Sequence, residues 1–196
     1  KLKNNTHMKV AVVEDRTVNP AKNVDGLKTK STDIKMDAGK KLTVAGNLTS
    51  TDDTNIEADD LDLGNNKVNV GKKLTFAGNL RSTDDTKIEA DDLDLGNNKV
   101  NVGKKLTLEK ATKSQTINVG TGAGDWNINN AAYGDIKIGG ATQTGNINIK
   151  GATFKKPSDI ETTGDVTLTG ATKAGADGKS NMKIKAHAAT LPTASD

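Results

Sequence analysis

The chain has 196 residues, 33% of them hydrophobic and only 2% aromatic, with 28 Lys plus Arg against 25 Asp plus Glu for a formal charge of +3. That is too little large apolar surface for an ordinary compact core of this length, which leaves disorder or a solenoid with thin layers. Balanced, dispersed charge with few stacking rings argues against nucleic-acid binding. No apolar run approaches the ~20 residues of a membrane helix, and the absence of cysteine excludes disulfides and thiolate metal sites.

Residues 1–27 differ from the rest of the chain. His7–Glu14 (HMKVAVVE) reads as one apolar strand, followed by Thr17-Val18-Asn19-Pro20. The default expectation is a cap that covers strand edges at one end of a solenoid. The competing expectation is a strand that adds to a neighbouring subunit. No secretion signal opens the sequence at Lys1, so the expectation is a mature form or a fragment.

Residues 28–185 read as a β-repeat region, dominated by a tandem duplication. Residues 40–71 and 72–103 are copies of a 32-residue unit that differ only at Val44/Phe76, Thr49/Arg81 and Asn55/Lys87. A third copy starts at Lys104 and diverges after Leu108. Met36-Asp37-Ala38-Gly39 stands where a copy would end in Val-Asn-Val-Gly, so a degenerate copy precedes the first. A stackable unit duplicates this cleanly; a tuned active site would not.

Apolar–polar–apolar triplets recur through this region. Examples are Leu42-Thr43-Val44, Leu61-Asp62-Leu63, Leu74-Thr75-Phe76, Leu93-Asp94-Leu95, Ile117-Asn118-Val119, Ile136-Lys137-Ile138, Ile147-Asn148-Ile149 and Val166-Thr167-Leu168. Period two means strand, and the intervening Gly, Asn, Asp and Thr are turn residues. Starts at 42 and 61, 74 and 93, 117 and 136, and 147 and 166 are each 19 residues apart. Strands of three residues cannot stand alone, so they are expected to pair with copies in neighbouring layers. The predicted fold is all-β, a repeat-built parallel β-helix; a β-sandwich of short antiparallel strands is the alternative. The 32-residue period does not match a 19-residue coil, so coil size either varies or reaches about 32. Asn65-Asn66 and Asn97-Asn98 are placed to form an inter-layer amide ladder. Residues 186–196 read as a C-terminal tail.

The candidate chemistry is sparse. Asp52, Asp53, Asp59 and Asp60 recur as Asp84, Asp85, Asp91 and Asp92. Stacked carboxylates repel one another, and a calcium ion with its oxygen ligands would relieve this. Solvated loops, partly balanced by Lys40-Lys41, Lys72-Lys73 and Lys104-Lys105, are the leading reading, and neither a calcium β-roll pattern nor an EF-hand loop is present. His7 and His187 have no obvious partners. No Ser lies in a G-x-S-x-G elbow, and the Gly120–Gly124 run is not followed by the Lys-Ser/Thr of a phosphate loop. No catalytic residue and no cofactor other than calcium is therefore expected. Trp126 and Tyr133 are the candidate binding residues: Trp126 occupies an inward triplet position that suits the core, and Tyr133 is expected in a turn, open to a ligand or a neighbouring subunit.

Gly164-Asp165-Val166-Thr167-Leu168-Thr169-Gly170, Gly145-Asn146-Ile147-Asn148-Ile149 and residues 41–48 (KLTVAGNL) resemble the repeats of large bacterial exoproteins of the filamentous haemagglutinin type. The resemblance covers roughly residues 39–172. It implies a right-handed parallel β-helix, secretion, and an extended adhesive fibre, and it carries over no functional residue. The expected role is an extracellular or cell-surface structural protein, a fibre subunit or adhesin shaft that associates with itself and meets a host-surface glycan or protein. A phage tail-fibre segment and a carbohydrate-binding or carbohydrate-active β-helix are the alternatives.

Overall fold

The computed structural model of the chain describes residues 7–12, 16–18, 27–29, 31–36, 41–44, 48–50, 52–62, 67–94, 100–129, 131–175 and 181–192. Its regular elements are all strands, and its ladders are parallel, so the solenoid reading holds and the antiparallel sandwich does not. The longest ladder, the main sheet, runs through Leu27–Thr29, Leu48–Ser50, Val68–Val70, Thr86–Glu89, Lys105–Glu109, Asp135–Gly139, Ser158–Glu161 and Met182–Lys185. Leu48, Val68, Ile88, Leu108, Ile138 and Ile160 stack along it, none more than 2% exposed. Each such side chain contributes about 1.5–3 kcal/mol of burial, and its neighbours above and below supply the contacts that one thin coil lacks.

In the duplicated region one circuit takes 20 residues: Leu48 lies beside Val68, Val68 beside Ile88, and Ile88 beside Leu108. The coil is therefore much shorter than the sequence repeat. A first sheet covers the opposite side of these coils, with Thr54–Asp62 and Lys73–Ser82 at its centre. Leu42 beside Leu61 and Leu74 beside Leu93 pair in this sheet, as their 19-residue spacing predicts. A register shift between Glu57 and Asp60 absorbs the difference between 19 and 20.

A 32-residue copy is not a whole number of 20-residue circuits, so the copies run out of step with the coil: Leu42 and its counterpart Leu74 both pair in the first sheet, but other counterparts fall in different sheets. Ile56 pairs in the first sheet and its counterpart Ile88 in the main sheet. Val68–Val70 lies in the main sheet, while the identical Val100–Val102 lies against Lys73–Ser82 in the first. The same alternation of inward and outward residues suits either face, so the duplication folds without matching the coil.

The next circuit is longer, 30 residues from Leu106 to Ile136. Its extra length holds Ile117–Gly120 and the turn that returns through Trp126. Trp126 N–H donates to the Asn118 carbonyl at 2.8 Å, and Gly120 N–H to the Trp126 carbonyl at 3.2 Å. Ile117–Gly120 founds a third sheet, continued by Ile147–Lys150, Asp165–Thr169 and Ala188–Thr190. Ile147 beside Val166 again fits the 19-residue expectation. Ile117 and Ile136 do not, because the inserted turn sends them to different sheets. Gly139 marks the corner between main and third sheets: its φ is 76°, and an added Cβ would lie 2.2 Å from the Glu161 carbonyl oxygen.

At the N-terminal end, His7–Val12 pairs with Ser31–Met36 and Arg16–Val18 with Lys41–Val44, so the segment read as a separate cap contributes strands to the first sheet. At the other end Ala188–Thr190 is a strand of the third sheet, within the stretch read as a tail. Asn65-Asn66 and Asn97-Asn98 lie outside the described residues. An inter-coil amide bond does form in the third sheet, where Asn148 Nδ2 donates to Asn118 Oδ1 at 3.0 Å.

Candidate functional site

The duplicated acids sit at the corners of the coil and hold neighbouring circuits together. Ser50 Oγ bonds the backbone of Asp52, Asp53 N–H donates to Asp52 Oδ1 at 3.1 Å, and Lys73 N–H, 20 residues on, donates to Asp53 Oδ1 at 3.2 Å. Lys72 Nζ closes on Asp52 Oδ1 at 2.8 Å. The second copy repeats this at a corner between the other pair of faces. Ser82 Oγ bonds the backbone of Asp84, Lys105 N–H donates to Asp85 Oδ1 at 3.1 Å, and Lys104 Nζ meets Asp84 Oδ1 at 2.8 Å. The Lys104 hydrogen bond holds the Asp84 carboxyl below its usual range, and the matching bonds to Asp52 and Asp84 raise Lys72 and Lys104.

Asp91 belongs to a second kind of inter-coil clasp. Its carboxylate accepts from Thr112 N–H at 2.6 Å, Thr112 Oγ1 at 2.8 Å and Gln115 Nε2 at 3.3 Å. Asp92 pairs with Lys73 in the ladder, and Asp60 with Lys41 and Asn79; the side chains of Asp59 and Asp60 lie outside the described residues. Asp52, Asp53, Asp84, Asp85 and Asp91 are thus spread over separate corners and engaged by protein donors. Among the described residues no group of three or more His, Asp or Glu is gathered as a metal site.

The outer face of the main sheet carries two charged clusters. In the lower one Lys87 and Lys113 bridge Glu89 and Glu109 at 2.7–3.2 Å. Burial alone would raise Glu109, but hydrogen bonds from Lys113 and Lys87 outweigh it and leave its carboxyl below the usual range. Burial opposes the raising of Lys87 in the same way and is likewise outweighed by its two glutamates. Asn55, the first-copy counterpart of Lys87, pairs in register with Asp33 and Thr75 in the first sheet.

Beside this cluster Lys110 is 8% exposed, bonds the Asp91 carbonyl, and sits 5.0 Å from the centre of the Trp126 ring. Burial lowers its pKa. The ring supplies part of the compensation for that desolvated cation.

The upper cluster borders a shallow cavity of about 240 Å³ lined by Lys137, Asp159, Ile160, Glu161, Lys183 and Lys185. Glu161 is clamped between Lys137 at 2.7 Å and Lys185 at 3.0 Å, and these bonds lower its pKa. The cavity follows from stacking three outward-facing rungs of opposite charge.

The two aromatic candidates are not on this surface. Trp126 is 2% exposed, in keeping with its inward triplet position. Tyr133 is 8% exposed, not open in a turn. It packs in the core where the long circuit returns across Val100–Val102, and burial raises its pKa against a hydrogen bond with the Lys155 backbone. The sequence reading set Lys72-Lys73 and Lys104-Lys105 against these acids but did not find the circuit that joins them, although its signal is present: Asp52 to Lys72 and Asp84 to Lys104 are both 20 apart. No family model, no curated protein and no solved structure matches the chain.

Proposed function

We propose that the chain is a structural shaft of a cell-surface or extracellular protein, a fibre subunit or the stem of an adhesin, which associates with copies of itself and has no catalytic role. The supporting observation is that two near-identical 32-residue copies thread a 20-residue coil out of step with it, so that identical strands such as Val68–Val70 and Val100–Val102 fall in different sheets. A segment that serves equally on either face supplies layers and length; a binding groove or active site would require one fixed face. Asp52, Asp53, Asp84 and Asp85 likewise join neighbouring circuits. The extracellular placement and the adhesive role rest on the resemblance of the Gly-Asn/Asp-apolar repeats to secreted fibrous exoproteins.

Light scattering and electron microscopy of the purified chain over a wide concentration range test this reading. Concentration-dependent assemblies that are lost on deletion of residues 1–27 are expected. A strict monomer at every concentration rejects self-association, and a discrete trimer favours a tail-fibre segment. The carbohydrate reading requires the 240 Å³ cavity to act without an aromatic floor; a glycan array reporting no binding removes it.

A further inference from the structure

We propose that the 32-residue copy is an indexing unit: gaining or losing one copy leaves the coils on either side intact but turns everything after it by about a third of a turn around the axis. This goes beyond the structural role proposed above, which needs only length. Each circuit of the duplicated region crosses three rows of stacked strands. Thr54, Leu74 and Leu93 form one row, and Leu61, Leu80 and Val100 a second, both within the first sheet. Leu48, Val68, Ile88 and Leu108 form the third row, along the main sheet.

Counterparts in the two copies are one row apart, always in the same direction. Leu42 and Leu48 lie in the second and third rows, while Leu74 and Leu80 lie in the first and second. Thr54, Leu61 and Val68 lie in the first, second and third rows, while Thr86, Leu93 and Val100 lie in the third, first and second. From Leu42 to Leu74 the chain advances five rows, one circuit and two rows more. Leu106, which opens the divergent third copy, continues the series by falling in the third row. At about 4.8 Å per circuit, one copy adds about 8 Å of length.

The local structure of a copy does not depend on the rows it occupies. Ser50, Asp52 and Asp53 turn the chain from the third row to the first, and Ser82, Asp84 and Asp85 turn it from the second to the third with the same set of hydrogen bonds. Residues 54–71 also match residues 86–103, the circuit that underlies the divergent coil, at every position but Asn55/Lys87. With residues 72–103 removed, the downstream coils meet the same sequence beneath them and lose only the Lys87 pairs with Glu89 and Glu109. Leu106 then takes the place of Leu74, in the first row beside Thr54. Copy number thus sets both the length of the shaft and the direction in which the third sheet, which follows the copies, faces.

Proteins lacking one copy test this. Asn55 lies beside Thr75, and Thr107 is the counterpart of Thr75 in the third copy. Asn55→Cys/Thr107→Cys should form an intramolecular disulfide in the protein without residues 72–103, and stay reduced in the full chain, where Thr107 lies beside Lys87. Removing residues 40–71 instead keeps Lys87 and moves it to the place of Asn55, beside Asp33, so Asp33→Cys/Lys87→Cys should oxidise there and not in the full chain. Each shortened protein should melt cooperatively in urea. A Lys67→Cys/Thr107→Cys disulfide in the protein without residues 72–103, with cysteines at 55 and 107 left reduced, would mean that Leu106 stays in the main sheet and would overturn the rotation. Loss of the cooperative melt in both shortened proteins overturns the equivalence of the copies. Both readouts are intramolecular, so failure of the self-association proposed above and failure of this inference are separately visible.

Discussion

Engineered cysteines can measure the length of a circuit directly, because the chain has none of its own. Arg81 and Asn101 are register partners on neighbouring parallel strands and both are exposed. Neighbouring strands lie about 4.8 Å apart, inside the Cα separation that a disulfide spans. Asn69 and Asn101 occupy the same position in the two sequence copies but lie in different sheets. The Arg81→Cys/Asn101→Cys protein should therefore oxidise to an intramolecular disulfide, while Asn69→Cys/Asn101→Cys keeps both thiols. Closing a loop of about 20 residues restricts the unfolded chain by about 3 kcal/mol at most, less any native strain. Thiol titration and non-reducing mass analysis report the bond, and urea melts with and without reductant report the stabilisation. A cross-link between positions 69 and 101, with 81 and 101 left reduced, would refute the 20-residue circuit and the exchange of faces.

Ile138→Ala should cost about 2–5 kcal/mol in a urea melt, since this fully buried side chain lies between Leu108 and Ile160; a loss below about 1 kcal/mol would show that the ladder is not a packed core. Gly139→Ala should cost at least about 1–2 kcal/mol from its positive φ alone, with a further penalty from the clash with the Glu161 carbonyl, and a neutral result would contradict the corner geometry. The lowered pKa of Glu109 gives a stabilising contribution that is complete above the unfolded value near 4.5 and is lost as pH falls through the folded value below it. Glu109→Gln should therefore lower stability near pH 7 by about 1 kcal/mol or less, the scale of a partly exposed ion pair, and flatten the acid limb of the melting-temperature profile; an unchanged acid limb would discount the cluster.

Much of the architecture is legible in single residues. Period-two triplets assign Leu74, Ile136, Ile147 and Val166 to the inside, and each is at most 2% exposed. Spacings of 19 correctly pair Leu42 with Leu61, Leu74 with Leu93, and Ile147 with Val166. The candidate site was less accessible. The acidic doublets and the lysine pairs that balance them, Lys72-Lys73 and Lys104-Lys105, both stand out in the sequence, but the 20-residue circuit that brings one onto the other is a spacing that no single element announces. Tyr133 was misplaced because its burial depends on the long circuit folding back over Val100–Val102, where Ala132 bridges to Asn101, 31 residues earlier.

The sequence by itself determines which side chains face in and which face out, because alternation along a strand is local and survives any change of register by two. It also determines that the strands must stack, since triplets are too short to pair alone. The number of residues in a circuit, and hence the face on which each copy falls, is decided only in three dimensions. It depends on how corners close, on the register shift between Glu57 and Asp60, and on the turn that carries Trp126 back into the core. Those are sums over a whole coil, so identical strands such as Val68–Val70 and Val100–Val102 reach different sheets with their valines still inward.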